Sequence, residues 1–364
     1  KAHRTGSYEL LANGEPPPVS IDDVYTGLSE VDGAYTGLSA AEQMHLADYA
    51  ESLVGGDRHA EAEAIAFNLA AVANAPIDNL LRAFVARDRF SPGVIFHRAP
   101  SDLRDRLLER VEWDEEHRRS ILSVLAWIGD EAIVEAFASW TRNAPSWSDG
   151  FSLADYALGA GWELTDAGEA RKLYFQQCRK LTREAPDSPD VFQVFGNTQD
   201  ACPWCRQCLT NLFDLNPIAI GLPRELGDRL QVKTCEGCTA YGTVYGEYDE
   251  AGLSYWSPSN ERPTYLPDDV DTWERMPSNC LKLADRRFAL FAAAPFLSIT
   301  FSHVGGYPNW LQNAEKPICP HCMKTMMFLA QVDLQDSGVD WADGVYYAFV
   351  CSDCRTTATT FQCT

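Results

Sequence analysis

Four Cys-x-x-Cys pairs, all in the C-terminal half, constrain this chain more than any other feature: Cys202-Pro-Trp-Cys205, Cys235-Glu-Gly-Cys238, Cys319-Pro-His-Cys322 and Cys351-Ser-Asp-Cys354. Two residues between thiolates let both sulfurs turn toward one ion in a tight knuckle, where backbone amides can also hydrogen-bond the sulfurs. Two knuckles complete a tetrahedron. The gap between the first two pairs is 29 residues and that between the last two is 28. This predicts one Zn²⁺ held by Cys202, Cys205, Cys235 and Cys238 and a second held by Cys319, Cys322, Cys351 and Cys354, with pairing across the two segments as the alternative. Redox dithiols and disulfides are the competing readings, but four pairs exceed what one redox motif needs. Four sulfurs per ion leave no open position, as in a structural rather than a catalytic zinc site. His321, inside the third pair, reads as a spacer. Cys178, Cys208, Cys280 and Cys363 lack the spacing and read as buried or incidental thiols.

The two segments also match beyond their cysteines. At an offset of 117 positions Cys202 aligns with Cys319, and Leu209, Leu212 and Leu215 fall opposite Met326, Leu329 and Val332. An internal duplication is the economical explanation. The stretches after the second pair of each segment, Thr239-Ala-Tyr-Gly-Thr-Val244 and Arg355-Thr-Thr-Ala-Thr-Thr360, are expected to leave their knuckles as strands.

With 364 residues and 46% hydrophobic side chains, two domains of ordinary size can each bury a core. The formal charge of −22 repels phosphate backbones and anionic lipid, which argues against nucleic acid or a membrane and for a basic protein as partner. The longest apolar run, Phe288–Phe301, falls short of the roughly 20 residues a membrane helix needs. No basic-then-apolar leader pattern opens the chain, so a cytoplasmic location is expected, although a start at Lys1 leaves room for a missing leader.

Residues 1–20, with Pro16-Pro17-Pro18, read as an extended lead-in, and Tyr25-Thr-Gly-Leu-Ser29 echoes at Tyr35-Thr-Gly-Leu-Ser39. A helical domain is expected over residues 21–184, with helices running from Ser39, as N-cap, to about Leu181. A first helix ends at Gly55-Gly56, and Ile65, Leu69 and Val72 form one stripe. Leu80, Leu81 and Phe84 form the next after Pro76 opens a helix. Ile121, Leu122, Leu125 and Ile128, then Gly129-Asp130 as C-cap and N-cap, then Ile133, Phe137 and Trp140, suggest a hairpin that resembles a HEAT repeat, within either a solenoid or a compact bundle. Ala185-Pro-Asp-Ser-Pro-Asp190 marks the boundary. Beyond it, Tyr241–Tyr245, Met326–Leu334 and Val345–Val350 read as antiparallel strands. The expected fold class is therefore α+β: an all-α domain, then a mainly antiparallel β domain over residues 191–364 with an internal duplication and two four-cysteine zinc knuckle sites.

Ser302-His-Val-Gly-Gly-Tyr-Pro-Asn-Trp-Leu-Gln312 precedes the third pair, and Met326–Asp333 and Gly344–Cys351 follow. This order resembles the bacterial YwqG-like domain family and the related eukaryotic programmed cell death protein 2 family, in which a Gly-Gly-x-Pro-x-Trp turn precedes a strand ending in Gln, here Gln331. The resemblance is close over about 65 residues from Phe301 and looser back to Phe192. It implies a non-enzymatic partner-binding role: immunity against a toxin, as for some YwqG-like domains, or chaperoning of a ribosomal protein, as in the eukaryotic family. Gly305-Gly306 permits backbone angles closed to other residues and Pro308 fixes the next turn. Trp310 is expected in the core, the alternative being that Tyr307 and Trp310 face a partner. His303 reads as a hydrogen-bonded structural residue rather than a base.

No Walker A loop, Gly-x-Gly-x-x-Gly, His-Glu-x-x-His or Gly-x-Ser-x-Gly occurs, and Asp268-Asp269 and Asp114-Glu115-Glu116 read as solvated faces or helix starts. The expectation is a zinc-stabilised, non-enzymatic module that binds a toxin, with a chaperone of a basic client as the runner-up and an enzyme with an unrecognised site as a further alternative.

Overall fold

The computed structural model describes residues 34–185, 191–267, 275–293, 301–337 and 343–363. The lead-in, the first copy of the Tyr-Thr-Gly-Leu-Ser echo, most of the proposed linker and Asp268-Asp269 lie outside them. Two units are present, dividing between Arg171 and Lys172.

The first unit begins with α1 (Ala40–Leu53), where Ser39 and Glu42 form a capping box, and continues with α2 (His59–Phe67). The Asn68–Val72 turn that follows is π-helical and wholly buried. Pro76 stands just ahead of α3 (Asp78–Val85), whose Leu80, Leu81 and Phe84 are buried. Then come α4 (Ser101–Trp113), α5 (Arg118–Ile128), α6 (Glu131–Arg142) and α7 (Leu153–Gly159). Gly129 takes a left-handed φ of +51° as the C-cap of α5, and the Asp130 carboxylate accepts from the Ile133 N–H at 3.1 Å.

The α5–α6 pair lacks the close mutual packing expected of a HEAT-type hairpin. The central helix α5 packs against α4, α7 and the 3₁₀ turn Gly93–Phe96, and touches α6 little, so the unit is built around α5 as a bundle. Asp114 is also not solvated. It is buried, accepting from Arg110 Nε (2.6 Å) and the His117 N–H (3.0 Å) at the entry to α5, while Glu115 and Glu116 are exposed.

The helical pattern stops at Gly159, not Leu181. β1 (Trp162–Leu164) and β2 (Ala170–Lys172) form a hairpin whose turn is fixed by Gly168 at φ +80°. β3 (Cys178–Arg183) is already a strand of the second unit. The boundary drawn near residue 185 therefore sits one strand too late, because a six-residue strand with two buried side chains imitates a helix end.

The second unit continues with β4 (Val191–Ala201), β5 (Cys208–Leu215) and β6 (Leu230–Thr234). After the one-turn helix α8 (Glu236–Thr239) come β7 (Val244–Tyr248), β8 (Ser254–Trp256) and β9 (Asn279–Arg287). β10 (His303–Gly305), β11 (Met327–Asp333), β12 (Val345–Cys351) and β13 (Thr356–Gln362) complete it. The strand expected at Tyr241–Tyr245 starts at Val244, since Thr239–Gly242 is spent turning out of α8.

All named strand pairs are antiparallel, in the order β6-β5-β4-β9-β3-β10-β11-β12-β13-β7-β8. This order is the duplication made visible. Outward from the central β9–β3 pair, β4-β5-β6 mirrors β10-β11-β12, and the two strands that open the repeats are exchanged, β3 pairing with β10 and β9 with β4. The ends of the sheet approach one another: Gln231 N–H donates to Gly252 O at 2.9 Å, and the Thr234 and Thr359 hydroxyls meet at 2.6 Å. The sheet is thus nearly closed around a core that includes Leu212, Leu215, Val232, Leu329, Val332 and Tyr346. Leu209, Leu212, Leu215, Met326, Leu329 and Val332, aligned by the offset of 117, are all buried.

Candidate metal centres

Each knuckle pair falls where one strand ends and another begins. Cys202 and Cys205 turn β4 into β5, and Cys235 and Cys238 turn β6 into α8. Cys319 and Cys322 precede β11, and Cys351 and Cys354 turn β12 into β13. Because β5 pairs with β6 and β11 with β12, ladder pairing carries the two knuckles of each segment to the same end of the sheet.

The result is two tetrads, Cys202, Cys205, Cys235 and Cys238, and Cys319, Cys322, Cys351 and Cys354, with all four sulfurs of each within 4.8 Å of one another. Pairing is within segments. The Sγ separations are 3.8 Å for Cys202–Cys238, 3.5 Å for Cys205–Cys235 and 3.7 Å for Cys322–Cys351. Four sulfurs at roughly 2.3 Å from a central ion stand about 3.8 Å apart, so the tetrads have the dimensions of a tetrahedral thiolate site. They are far too open for disulfides, which need about 2.05 Å.

The two first knuckles are built alike. Arg206 N–H donates to Cys202 O and Met323 N–H to Cys319 O, each at 2.9 Å. Cys202 N–H and Cys319 N–H donate to Gln207 O and Lys324 O. Backbone N–H groups also reach the sulfurs: those of Trp204 and Cys205 toward Cys202, that of Lys324 toward Cys322, and those of Cys238 and Cys354 toward Cys235 and Cys351. The second knuckles differ, Cys235–Cys238 running into a helical turn and Cys351–Cys354 ending at Arg355 with φ +51°.

Crowding four sulfurs into this volume splits their acidities. Hydrogen bonds from Cys235 and Cys238 draw the Cys202 thiol far down, and the same bonds push those two partners up. In the second tetrad burial pushes Cys351 up and Cys354 up to about 11, whereas Cys322 is lowered against its desolvation by the Lys324 N–H and neighbouring thiols. A dication at the centre would replace the shared protons and let all four sulfurs ionise.

Sequence reasoning missed Glu236, inside the second pair. Its side chain is 5% exposed, accepts from the Thr210 hydroxyl and from Met276 N–H (2.8 Å), and lies 3.9 Å from Arg275 Nε. It ties the knuckle to β5 and to the segment ahead of β9. A single Glu within Cys-x-x-Cys carries no signal of this.

The remaining sequence-singled residues are structural. His321 lies outside the tetrad, its Nε2 3.2 Å from Glu247 Oε1. His303 is fully buried, and since a carbonyl can only accept, the 2.7 Å contact between its Nδ1 and Gly305 O places the proton on Nδ1. Burial pushes its pKa down to about 4.

Trp310 is in the core as expected, and Tyr307 is buried with it, so the alternative that both lie on a surface does not hold. Tyr307 and Trp310 are 5% and 6% exposed, Tyr307 against Tyr174 and Trp310 against Tyr347 at 4.6 Å. Gln331 explains their turn: its Oε1 accepts from Asn309 N–H and its Nε2 donates to Phe301 O, both at 2.9 Å. Among the described residues the exposed aromatics of this unit are Tyr255 (48%) and Tyr265 (69%). Among the described residues no helix is long and apolar enough to cross a membrane.

No protein-family profile matches the chain. No solved structure matches it either. A protein of Salmonella typhimurium named "Uncharacterized protein YpfL" is 39% identical over 366 residues, an alignment spanning 99% of this chain and 84% of that protein. At that identity and coverage, the chain belongs to the same family as YpfL.

Proposed function

We propose that this protein is a non-enzymatic binding module whose β unit is stapled by two structural Zn²⁺ ions and whose partner is a basic protein. The observation that carries the reading is the saturation of both tetrads: each supplies four sulfurs with tetrahedral spacing, so neither ion keeps a position for substrate or activated water. Zinc fits an all-sulfur tetrahedral set better than the hard cations do.

The partner's chemistry is read from charge and surface. The chain carries −22, and the β7–β8 hairpin exposes Asp249 and Glu250 in its turn and Tyr255 on β8, a combination suited to Lys- and Arg-rich surfaces. Among basic proteins a toxin neutralised by this chain is the first choice, on the resemblance to YwqG-like domains.

Two measurements test this. Metal analysis should give two zincs per chain with sulfur-only coordination, and chelation should melt the β unit while helical circular dichroism persists. One zinc with an oxygen or nitrogen ligand would reopen catalysis. Affinity capture from the native host should return a basic protein whose binding weakens with salt and with Tyr255→Ala. A toxin makes deletion of this gene alone lethal, a ribosomal client indicates a chaperone, and capture of no protein counts against both.

A further inference from the structure

Although the two tetrads are built alike, they are not equally sheltered. In the first, Cys202, Cys235 and Cys238 are buried and only Cys205 is partly exposed. In the second, Cys319 alone is buried and Cys322, Cys351 and Cys354 are all partly exposed. The difference lies in what packs over the sulfurs. Trp256, the last residue of β8, stands edge-on against Trp204 at 5.0 Å, and the chain beyond β8 places Leu266 (3% exposed) in the apolar cluster of the first tetrad. The cover is pinned by Tyr265 OH donating to Tyr241 O at 2.6 Å and by Arg262 donating to Leu266 O at 3.2 Å. Among the described residues the second tetrad has no such cover. Trp310, Met326, Phe349 and Ala358 pack with its cysteines, as do the half-buried Tyr245 and Leu311, while Ile318, His321 and Met323 around its first knuckle are exposed.

We propose that the second tetrad is an oxidant-sensitive, metal-releasing thiol site, and that the first is its inert counterpart. The proposal rests on the metal reading above and adds to it a modification site and a reagent class, hydroperoxides. A zinc-bound thiolate is a nucleophile once a peroxide can reach it, and access rather than ligand identity separates the two sites. One sulfur, Cys322 or Cys351, attacks the O–O bond, forming a sulfenic acid and expelling alkoxide or hydroxide. The other, 3.7 Å away, displaces hydroxide from the sulfenic sulfur and closes the disulfide. Two thiolates lose two electrons in all, the peroxide gains them, and two protons from solvent complete one water and one alcohol, or two waters from hydrogen peroxide. Left with two sulfurs, the ion departs. Thiol reductant and added zinc reverse the change.

The test uses the full chain loaded with two zincs, hydrogen peroxide at neutral pH, and a chromogenic zinc chelator as the readout. One zinc should appear in a fast phase and the other at least about tenfold more slowly. Peptide mapping without reductant after the fast phase should find Cys322 joined to Cys351 and Cys202, Cys205, Cys235 and Cys238 unmodified. Trp256→Ala, which opens the first tetrad without touching a ligand, should accelerate the slow phase and leave the fast one alone. Two zincs leaving at one rate, or cross-linked cysteines of the first tetrad in the early products, overturn this proposal and leave the structural-metal reading standing. A chain that binds no zinc overturns both.

Discussion

Arg206 and Met323 occupy the same place in two knuckles 117 positions apart, and both adopt the left-handed backbone, at φ +67° and +61°. Each N–H closes a turn on the carbonyl of the first cysteine at 2.9 Å. Two non-glycine residues in this region, preserved across the duplication, show that closing the knuckle requires the conformation more than it requires any particular side chain.

Met323 is 72% exposed, so its side chain contributes little to weigh against the backbone cost. Left-handed geometry disfavours a side chain by roughly 1–2 kcal/mol, while glycine gives back about 0.5–1 kcal/mol in unfolded-state entropy. Met323→Gly should therefore raise the stability of the zinc-loaded β unit by about 0.5 kcal/mol, seen as a higher urea midpoint with unchanged slope. A clear loss would mean that the Met323 side chain packs in solution.

Glu236 predicts the opposite sign. Glu236→Ala strands the Met276 N–H and the Thr210 hydroxyl in a buried setting, and each unsatisfied group costs about 1–3 kcal/mol. We expect about 2–3 kcal/mol of destabilisation by urea denaturation, with zinc stoichiometry intact and partial recovery in Glu236→Gln. Loss of one zinc would instead assign Glu236 to the coordination of the first site.

How legible this was depended on whether a property is local. Cysteine spacing fixed both tetrads because a knuckle is a four-residue object, and the offset of 117 found the repeat because the buried faces of β5 and β11 keep the same leucine-like positions. The exchange of β3 and β9 between repeats was not legible. It is set by pairings such as Leu181↔Leu283 and Val191↔Lys282, which leave no mark on either strand alone. The sheltering of one tetrad was hidden too, since the cover depends on where Leu266 lands after β8. Trp310 is core as its size and apolar character led one to expect, and Tyr307 joins it there, on a turn held by Gln331 bonding to Asn309 N–H.

Gly305 and Gly306 were expected to need angles closed to other residues, and at φ +65° and +72° they do. The space is closed as well: a Cβ on Gly305 would land on the Gln177 carbonyl oxygen and one on Gly306 on Cys178 Sγ. Gly305→Ala combines both penalties at the β3–β10 pairing and should cost more than about 3 kcal/mol or prevent the β unit from folding. Circular dichroism that retains helix but loses the cooperative β transition would be the expected signature. A variant of native stability would show that the turn can relax away from β3.

The acid limb of stability should report on His303. Its folded pKa of about 4 lies below the roughly 6.5 of an unfolded histidine, because burial disfavours the charged ring. Between those values the unfolded chain takes up a proton that the folded one refuses, so stability falls as pH drops from about 6.5 and the loss is complete once the folded ring also protonates near 4. The full span corresponds to about 3 kcal/mol. His303→Gln removes the titration while keeping a donor toward Gly305 O, and should flatten the curve of unfolding free energy between about pH 6.5 and 4 relative to wild type, whatever its effect at neutral pH. Thiolate protonation also acts in this range but is common to both proteins, so the difference between the two curves isolates the histidine. Parallel curves would mean that His303 is reached by water and titrates alike in both states.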